Sequence, residues 1–208
     1  MGLAIQLYLN DYQDYYPSVE YSQPTAQTLV WPWERAIEPY YPLKWTNTAY
    51  HCPGYKGLIT DRLGLGYTNV YSGSYAYNAW GFIMTSGAAN MGLSTTWDST
   101  APKKHVRVSD ITSPADMFEV GESKMPLSSP AAGFIFLYPN APLDYMLTEA
   151  FYLNPVNPSL RHGKNNNQLC CDGHVEVIAP FVLYMQTRLA ARWNRDNQPH
   201  PEQWPPAY

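Results

Sequence analysis

The stretch Gln168-Leu169-Cys170-Cys171-Asp172-Gly173-His174-Val175-Glu176-Val177 constrains this 208-residue chain more than any other. An Asp-Gly pair between two strand-forming runs predicts a β-hairpin. A two-residue type I′ turn needs positive φ at both central positions, and Asp and Gly tolerate that best. With Asp172 and Gly173 as the turn, Cys171 faces His174 across the ladder and Cys170 faces Val175. Side chains alternate along strands, so Gln168, Cys170, Val175 and Val177 share one face, and the two valines mark it as the core side.

Other elements follow from periodicity and punctuation. Residues 3–15 read as a helix that Tyr16-Pro17 ends, because the residue before a proline is pushed out of the helical region. At 100° per residue, Ala4, Ile5, Tyr8, Leu9, Tyr12, Tyr15 and Tyr16 fall in one arc, assigned to the core. Leu3 and Leu7 fall on the opposite side with Asn10, Asp11 and Asp14 and are expected to be exposed. Residues 18–50 are rich in proline and aromatics and read as a packed irregular region, with a short helix at Trp33–Ile37 after Pro32. Residues 51–70 read as loops and 85–105 as a surface excursion. Strands are expected within 73–84, at 106–108, at 117–120, at 133–138 and in the hairpin at 168–178. Pro180 is suited to open a C-terminal helix over 181–193, and residues after Asn194 read as an extended, proline-rich tail. The order of helix, strands and helix predicts a single α+β domain over residues 1–208, with an antiparallel sheet packed on the N-terminal helix.

Composition narrows the function. The net charge is −4 and the sequence pI about 5.7, which argues against a nucleic-acid partner. No apolar run reaches the ~18 residues that span a bilayer. Charged residues are 14 % and aromatics 15 % of the chain, so the surface is short of charge and suited to protein contact. Three cysteines leave an odd count. Either Cys52 forms a disulfide with Cys170 or Cys171, or all three are small buried apolar groups. A bond between the adjacent Cys170 and Cys171 is strained.

Several segments, in order, resemble a known family. Gly2-Leu3-Ala4-Ile5-Gln6-Leu7-Tyr8-Leu9-Asn10-Asp11 with Tyr16-Pro17, the His51-Cys52-Pro53 step, Ser74-Tyr75-Ala76-Tyr77-Asn78, Ser113 to Ser123 with its Gly121-Glu122-Ser123 end, and Trp193 to His200 are such pieces. The most specific is His162, nine residues, then Asp172-Gly173-His174. Together they resemble prepilin-like (pseudopilin-like) proteins, whose precursors start with a cleavage and methylation segment. The resemblance implies a pilin-like headgroup, other pilin-like subunits as partners, an extracytoplasmic location, and membrane attachment only through a segment that this chain does not contain.

Candidate chemistry is sparse. His162, Asp172 and His174, with Cys171, form a conceivable metal set. The competing assignment has Asp172 bonding its own turn and His162 capping the polar loop against the hairpin. The second is preferred, so no metal and no cofactor are expected. Calcium is poorly supplied, because the loop after Arg161 offers asparagines rather than acids. There is no nucleophile elbow, phosphate loop or His-Glu-x-x-His helix. Asp116, Glu119 and Glu122 are close in sequence, but spacing alone does not make a glycosidase pair. Trp31, Trp33, Trp45, Trp80 and Trp97 could form a sugar platform or fill a loop-rich core. The expected function is structural, that of a filament subunit without catalytic residues. A carbohydrate-binding module is the alternative, and a metal-dependent enzyme comes third.

Overall fold

The computed structural model describes residues 1–18, 20–22, 29–31, 33–57, 59, 73–79, 81, 91–94, 105–123, 161–163, 165–183 and 189–201. The chain opens with α1 (Gly2–Asp11), followed by a two-stranded antiparallel ribbon of β1 (Glu20–Ser22) and β2 (Leu29–Trp31), and by α2 (Trp33–Ile37). The main sheet holds β3 (Tyr75–Tyr77), β4 (Phe118–Glu122), β5 (Asn166–Cys170) and β6 (Val175–Ile178), antiparallel and in that spatial order. A short α3 (Pro180–Leu183) and a 3-10 turn (Ala190–Trp193) complete the described elements. The α+β class and the helix-on-sheet arrangement are as expected. The ribbon in 18–50 was not foreseen, and the strand expected at 133–138 lies outside the described residues.

Helix α1 is shorter than its hydrophobic pattern. Gln13 and Asp14 take left-handed φ of 55° and 65°, and the Asp14 N–H donates to the Leu9 carbonyl (2.8 Å) while Tyr12 N–H donates to Tyr8. The first of these is the six-to-one bond typical of a helix C-terminus, with Gln13 at the left-handed position where glycine usually sits. The chain then runs as a strand-like segment. Tyr15 bridges Arg107, Tyr16 N–H donates to Val106, and Tyr16 becomes buried. Pairing with 106–108 therefore ends the helix at Asp11, six residues before Pro17. Tyr12, assigned to the core by its helical position, is 52 % exposed and stacks on Tyr8 instead.

The sheet is covered on both faces. On one, Ala4, Ile5 and Leu9 pack with Val120, Leu169, Tyr77 and the buried Trp33 and Trp45. Trp33 stacks on Tyr77 at 5.5 Å between ring centres and meets Trp45 edge-on at 6.0 Å. On the other, Phe118 meets Trp193 edge-on at 5.3 Å. Asn78 ties the layers together. Its amide donates to the Phe118 and Trp193 carbonyls (2.8 and 2.9 Å) and its oxygen accepts from Gly81 N–H (3.1 Å).

The hairpin forms, but in a different register. Leu169 pairs with Val175 and Cys170 N–H donates to the His174 carbonyl (2.9 Å), leaving a three-residue loop of Cys171, Asp172 and Gly173. Gly173 N–H returns to the Cys170 carbonyl at 2.9 Å, and only Gly173 has positive φ (+93°). This loop asks for one left-handed residue where a type I′ turn asks for two, so Asp172 is spared. Tertiary bonds hold the extra residue, with Cys171 N–H donating to Met117 and Asp172 N–H to Pro114. A one-residue shift exchanges the faces. Cys170 now lies opposite His174 and Gln168 opposite Glu176. Val175 and Val177, expected in the core, are 60 % and 64 % exposed.

Candidate functional site

Four segments that are remote in sequence meet at the β3–β4 end of the sheet and enclose a polar cluster. Ser74 arrives at the start of β3, Glu122 and Ser123 at the end of β4, His51 and Cys52 after a 3-10 turn (Thr48–Tyr50), and Arg161 and His162 ahead of β5. His51, Cys52, Ser74, Glu122, Ser123 and Arg161 are all buried. Ser74 organises the centre. Its hydroxyl accepts from Cys52 N–H (2.9 Å), its carbonyl accepts from Ser123 N–H (2.9 Å), and its N–H donates to His51 Nδ1 (3.2 Å). Since Nδ1 accepts, Nε2 carries the proton and donates to the Trp45 carbonyl at 2.6 Å. Burial lowers the His51 pKa, so this imidazole is a neutral, fixed structural piece.

Arg161 is a buried cation. Its guanidinium donates to the Ser74 carbonyl (3.1 Å) and the Ser123 carbonyl (3.0 Å), lies 5.0 Å from the Tyr55 ring centre, and has Nη1 3.9 Å from Glu122 Oε2. Glu122 balances that charge, as a buried cation requires. Burial raises the Glu122 pKa, opposed by the charges of Arg161 and His162. With its amide turned to donate, Asn166 reaches Oε2 at 3.2 Å. The other oxygen, Oε1, lies in close ion-pair contact with His162 Nε2, at 2.5 Å. Cys52 Sγ lies 3.3 Å from the same nitrogen. His162 itself is 37 % exposed at its side chain and has φ of +45°, in a loop that the Arg161–Asn165 bridge closes.

Three donor atoms of different chemistry thus converge on one point. They do not form a nucleophilic relay, which uses the two imidazole nitrogens separately, one toward the nucleophile and one toward the acid. Cys52 and Glu122 share Nε2. Burial also raises the Cys52 pKa, which works against a thiolate nucleophile.

The residues that the sequence grouped as one candidate set are divided. His162 turns to Cys52 and Glu122 rather than capping the loop against the hairpin. Asp172 accepts from His174 N–H (3.0 Å), the expected turn bond, and its Oδ1 lies 2.6 Å from His174 Nδ1. His174 Nε2 lies 3.0 Å from Glu176 Oε1, whose carboxylate receives two bonds from Arg192 (2.8 and 2.7 Å). Arg192 holds the Glu176 pKa down at about 2, and Glu176 and Asp172 raise that of His174. Arg192 also covers the Phe118 ring at 4.3 Å and approaches Cys170 Sγ at 3.6 Å. This group clamps the hairpin to the C-terminal segment.

Cys52, Cys170 and Cys171 are free and buried. Cys52 belongs to the Glu122–His162 cluster and Cys170 to the Arg192 clamp, so the disulfide left open by the sequence is not formed. Trp33 and Trp45 are buried in the aromatic layer, which removes them from a sugar platform, and the side chains of Trp31, Trp80 and Trp97 lie outside the described residues. Leu3 and Leu7 are 74 % and 44 % exposed. Leu7 is thus more buried than Tyr12, against expectation, while Ile5 is wholly buried. Sequence reasoning singled out Cys52, Glu122 and His162 in separate segments but gave no sign that they meet, because 110 residues separate Cys52 from His162.

Comparison with known proteins gives no matching family model, no matching curated protein and no matching solved structure.

Proposed function

We propose that this chain is a structural subunit, the pilin-like headgroup of a secretion- or pilus-type filament, that acts by assembly rather than catalysis. The observation that carries the reading is the apolar exposure along α1. Ala4, Ile5 and Leu9 are buried against the sheet, while Leu3 and Leu7, one turn apart, face outward. Val175 and Val177 project from the same side of the sheet, since Val175 pairs with Leu169 and Leu169 belongs to the core cluster of Ala4, Ile5 and Leu9. A neighbouring subunit's helix laid over these residues would bury them, a gain of roughly 25 cal/mol per Å² of apolar surface. On this reading other pilin-like subunits are the partners and the location is extracytoplasmic. No helix among the described residues is long and apolar enough to cross a membrane. The headgroup reading also draws on the α+β layering, with an N-terminal helix on an antiparallel sheet.

The test is the double substitution Leu3→Asp and Leu7→Asp. Both sites are surface positions, so folding stability should change by less than about 1 kcal/mol. Filaments recovered from cells producing the full-length variant should lack the protein. Normal incorporation into filaments would refute the assembly face, and an unfolded variant would make the leucines part of the core.

A further inference from the structure

We propose that Cys52, Glu122 and His162 bind a divalent transition cation of the zinc class, with Cys52 Sγ, Glu122 Oε1 and His162 Nε2 as its protein ligands. The three atoms lie within 4.8 Å of one another. Thiolate, imidazole and carboxylate together suit a borderline-soft ion. Magnesium and calcium want oxygen alone. The inference is independent of the filament reading, and it replaces the expectation from sequence of a chain without metal.

Two further observations point to a ligand. First, the buried Glu122 turns Oε1 to His162 Nε2 (2.5 Å), itself a proposed ligand, while its sister oxygen is reached by Asn166 and faced by Arg161. A carboxylate held at one oxygen, with the other turned toward the remaining donor atoms, is the outer-shell arrangement that orients a metal ligand. Second, a non-glycine residue, His162, is held at φ +45° so that its ring reaches Glu122 and Cys52, a backbone conformation that costs energy and persists where the surroundings impose it.

The geometry needs only a small adjustment. With bonds of about 2.0–2.3 Å, tetrahedral zinc sets S···N near about 3.5 Å and N···O near about 3.3 Å. The observed separations are 3.3 and 2.5 Å. His162 must therefore withdraw by less than about 1 Å from Glu122. The adjoining Gly163 has nothing within 4 Å of where a side chain would begin, so the loop has room to move. On binding, Cys52 releases its thiol proton to solvent and forms the metal–sulfur bond, Glu122 binds as carboxylate, and His162 binds through the Nε2 lone pair. No electron is transferred. Water completes the fourth position from the exposed side of His162. The neighbouring Arg161 faces Oε2 rather than Oε1, which leaves the binding oxygen to the cation. The other set of similar composition, Cys170, His174 and Glu176, is a poorer candidate, because Arg192 already occupies both Glu176 oxygens.

The untagged chain is loaded with zinc or cobalt, freed of excess ion by gel filtration, and measured by elemental analysis and absorption. The wild type should retain about one ion per chain. The cobalt form should show a thiolate-to-metal charge-transfer band. His162→Ala, at a half-exposed position that leaves the buried network in place, and Cys52→Ser should each weaken binding at least about tenfold. Cys52→Ser should also remove the charge-transfer band, and His174→Ala should change neither. Absence of retained metal in the folded wild type would overturn the proposal. So would binding that His162→Ala leaves intact, or that His174→Ala abolishes.

Discussion

Replacing Glu119 by Gln should stabilise this protein at neutral and mildly alkaline pH and leave it nearly unchanged near pH 4. Glu119 sits where β4 bulges between Phe118 and Val120. It is fully buried, and neither carboxyl oxygen has a hydrogen-bond partner. Burial raises its pKa from 4.5 to about 8, so the folded protein keeps the proton that the unfolded chain releases. The stabilising balance is fully present below 4.5 and is lost as the pH climbs toward 8. At about 1.36 kcal/mol per unit, the loss at pH 7 is about 3 kcal/mol from this group. Gln has the same shape and never ionises, so the variant should recover up to that amount at pH 7. Urea unfolding at several pH values, followed by the fluorescence of the buried Trp33, Trp45 and Trp193, measures the difference. If wild type and Glu119→Gln lose stability with pH along parallel lines, the carboxyl is already charged or paired in the folded protein and the reasoning fails. Glu34, also fully buried without partners and raised by burial to about 8, supplies a second test through Glu34→Gln.

Further expectations concern the sheet and the two proposed surfaces. Gly173→Val should destabilise by about 1–3 kcal/mol, because a β-branched residue is strained at φ +93°; an unchanged melting curve would refute the turn. Gly121→Ala should cost about 1–3 kcal/mol, since a Cβ there would lie 2.0 Å from the buried Gln168 Oε1, and the added change Gln168→Ala should recover part of it in thermal melts. Leu3→Asp with Leu7→Asp should preserve the melt and abolish incorporation into filaments. His162→Ala should remove bound zinc without unfolding the chain.

Local chemistry made part of this fold legible. Pro32 before a run of helix formers placed α2 at Trp33–Ile37, and Pro180 supplied the first residue of α3. The Asp172-Gly173 pair located a hairpin turn, and alternation within 73–84 located the core of β3. Each of these signals is carried by a few neighbouring residues whose backbone preferences act directly.

Tertiary contact decided the rest. Whether the hairpin loop holds two residues or three depends on carbonyls at Met117 and Pro114, more than fifty residues upstream, that take the N–H groups of Cys171 and Asp172. That one residue determined which strand face is buried and left Val175 and Val177 outside. The end of α1 was likewise set by pairing with residues 106–108, not by Pro17. The Cys52–Glu122–His162 cluster depends on two long chain closures whose partners no local pattern encodes. Spacing along a sequence conveys which side chains share a helix or a strand, because those distances are fixed by backbone geometry. It does not convey which loops meet across a sheet, because that follows from how the whole core packs.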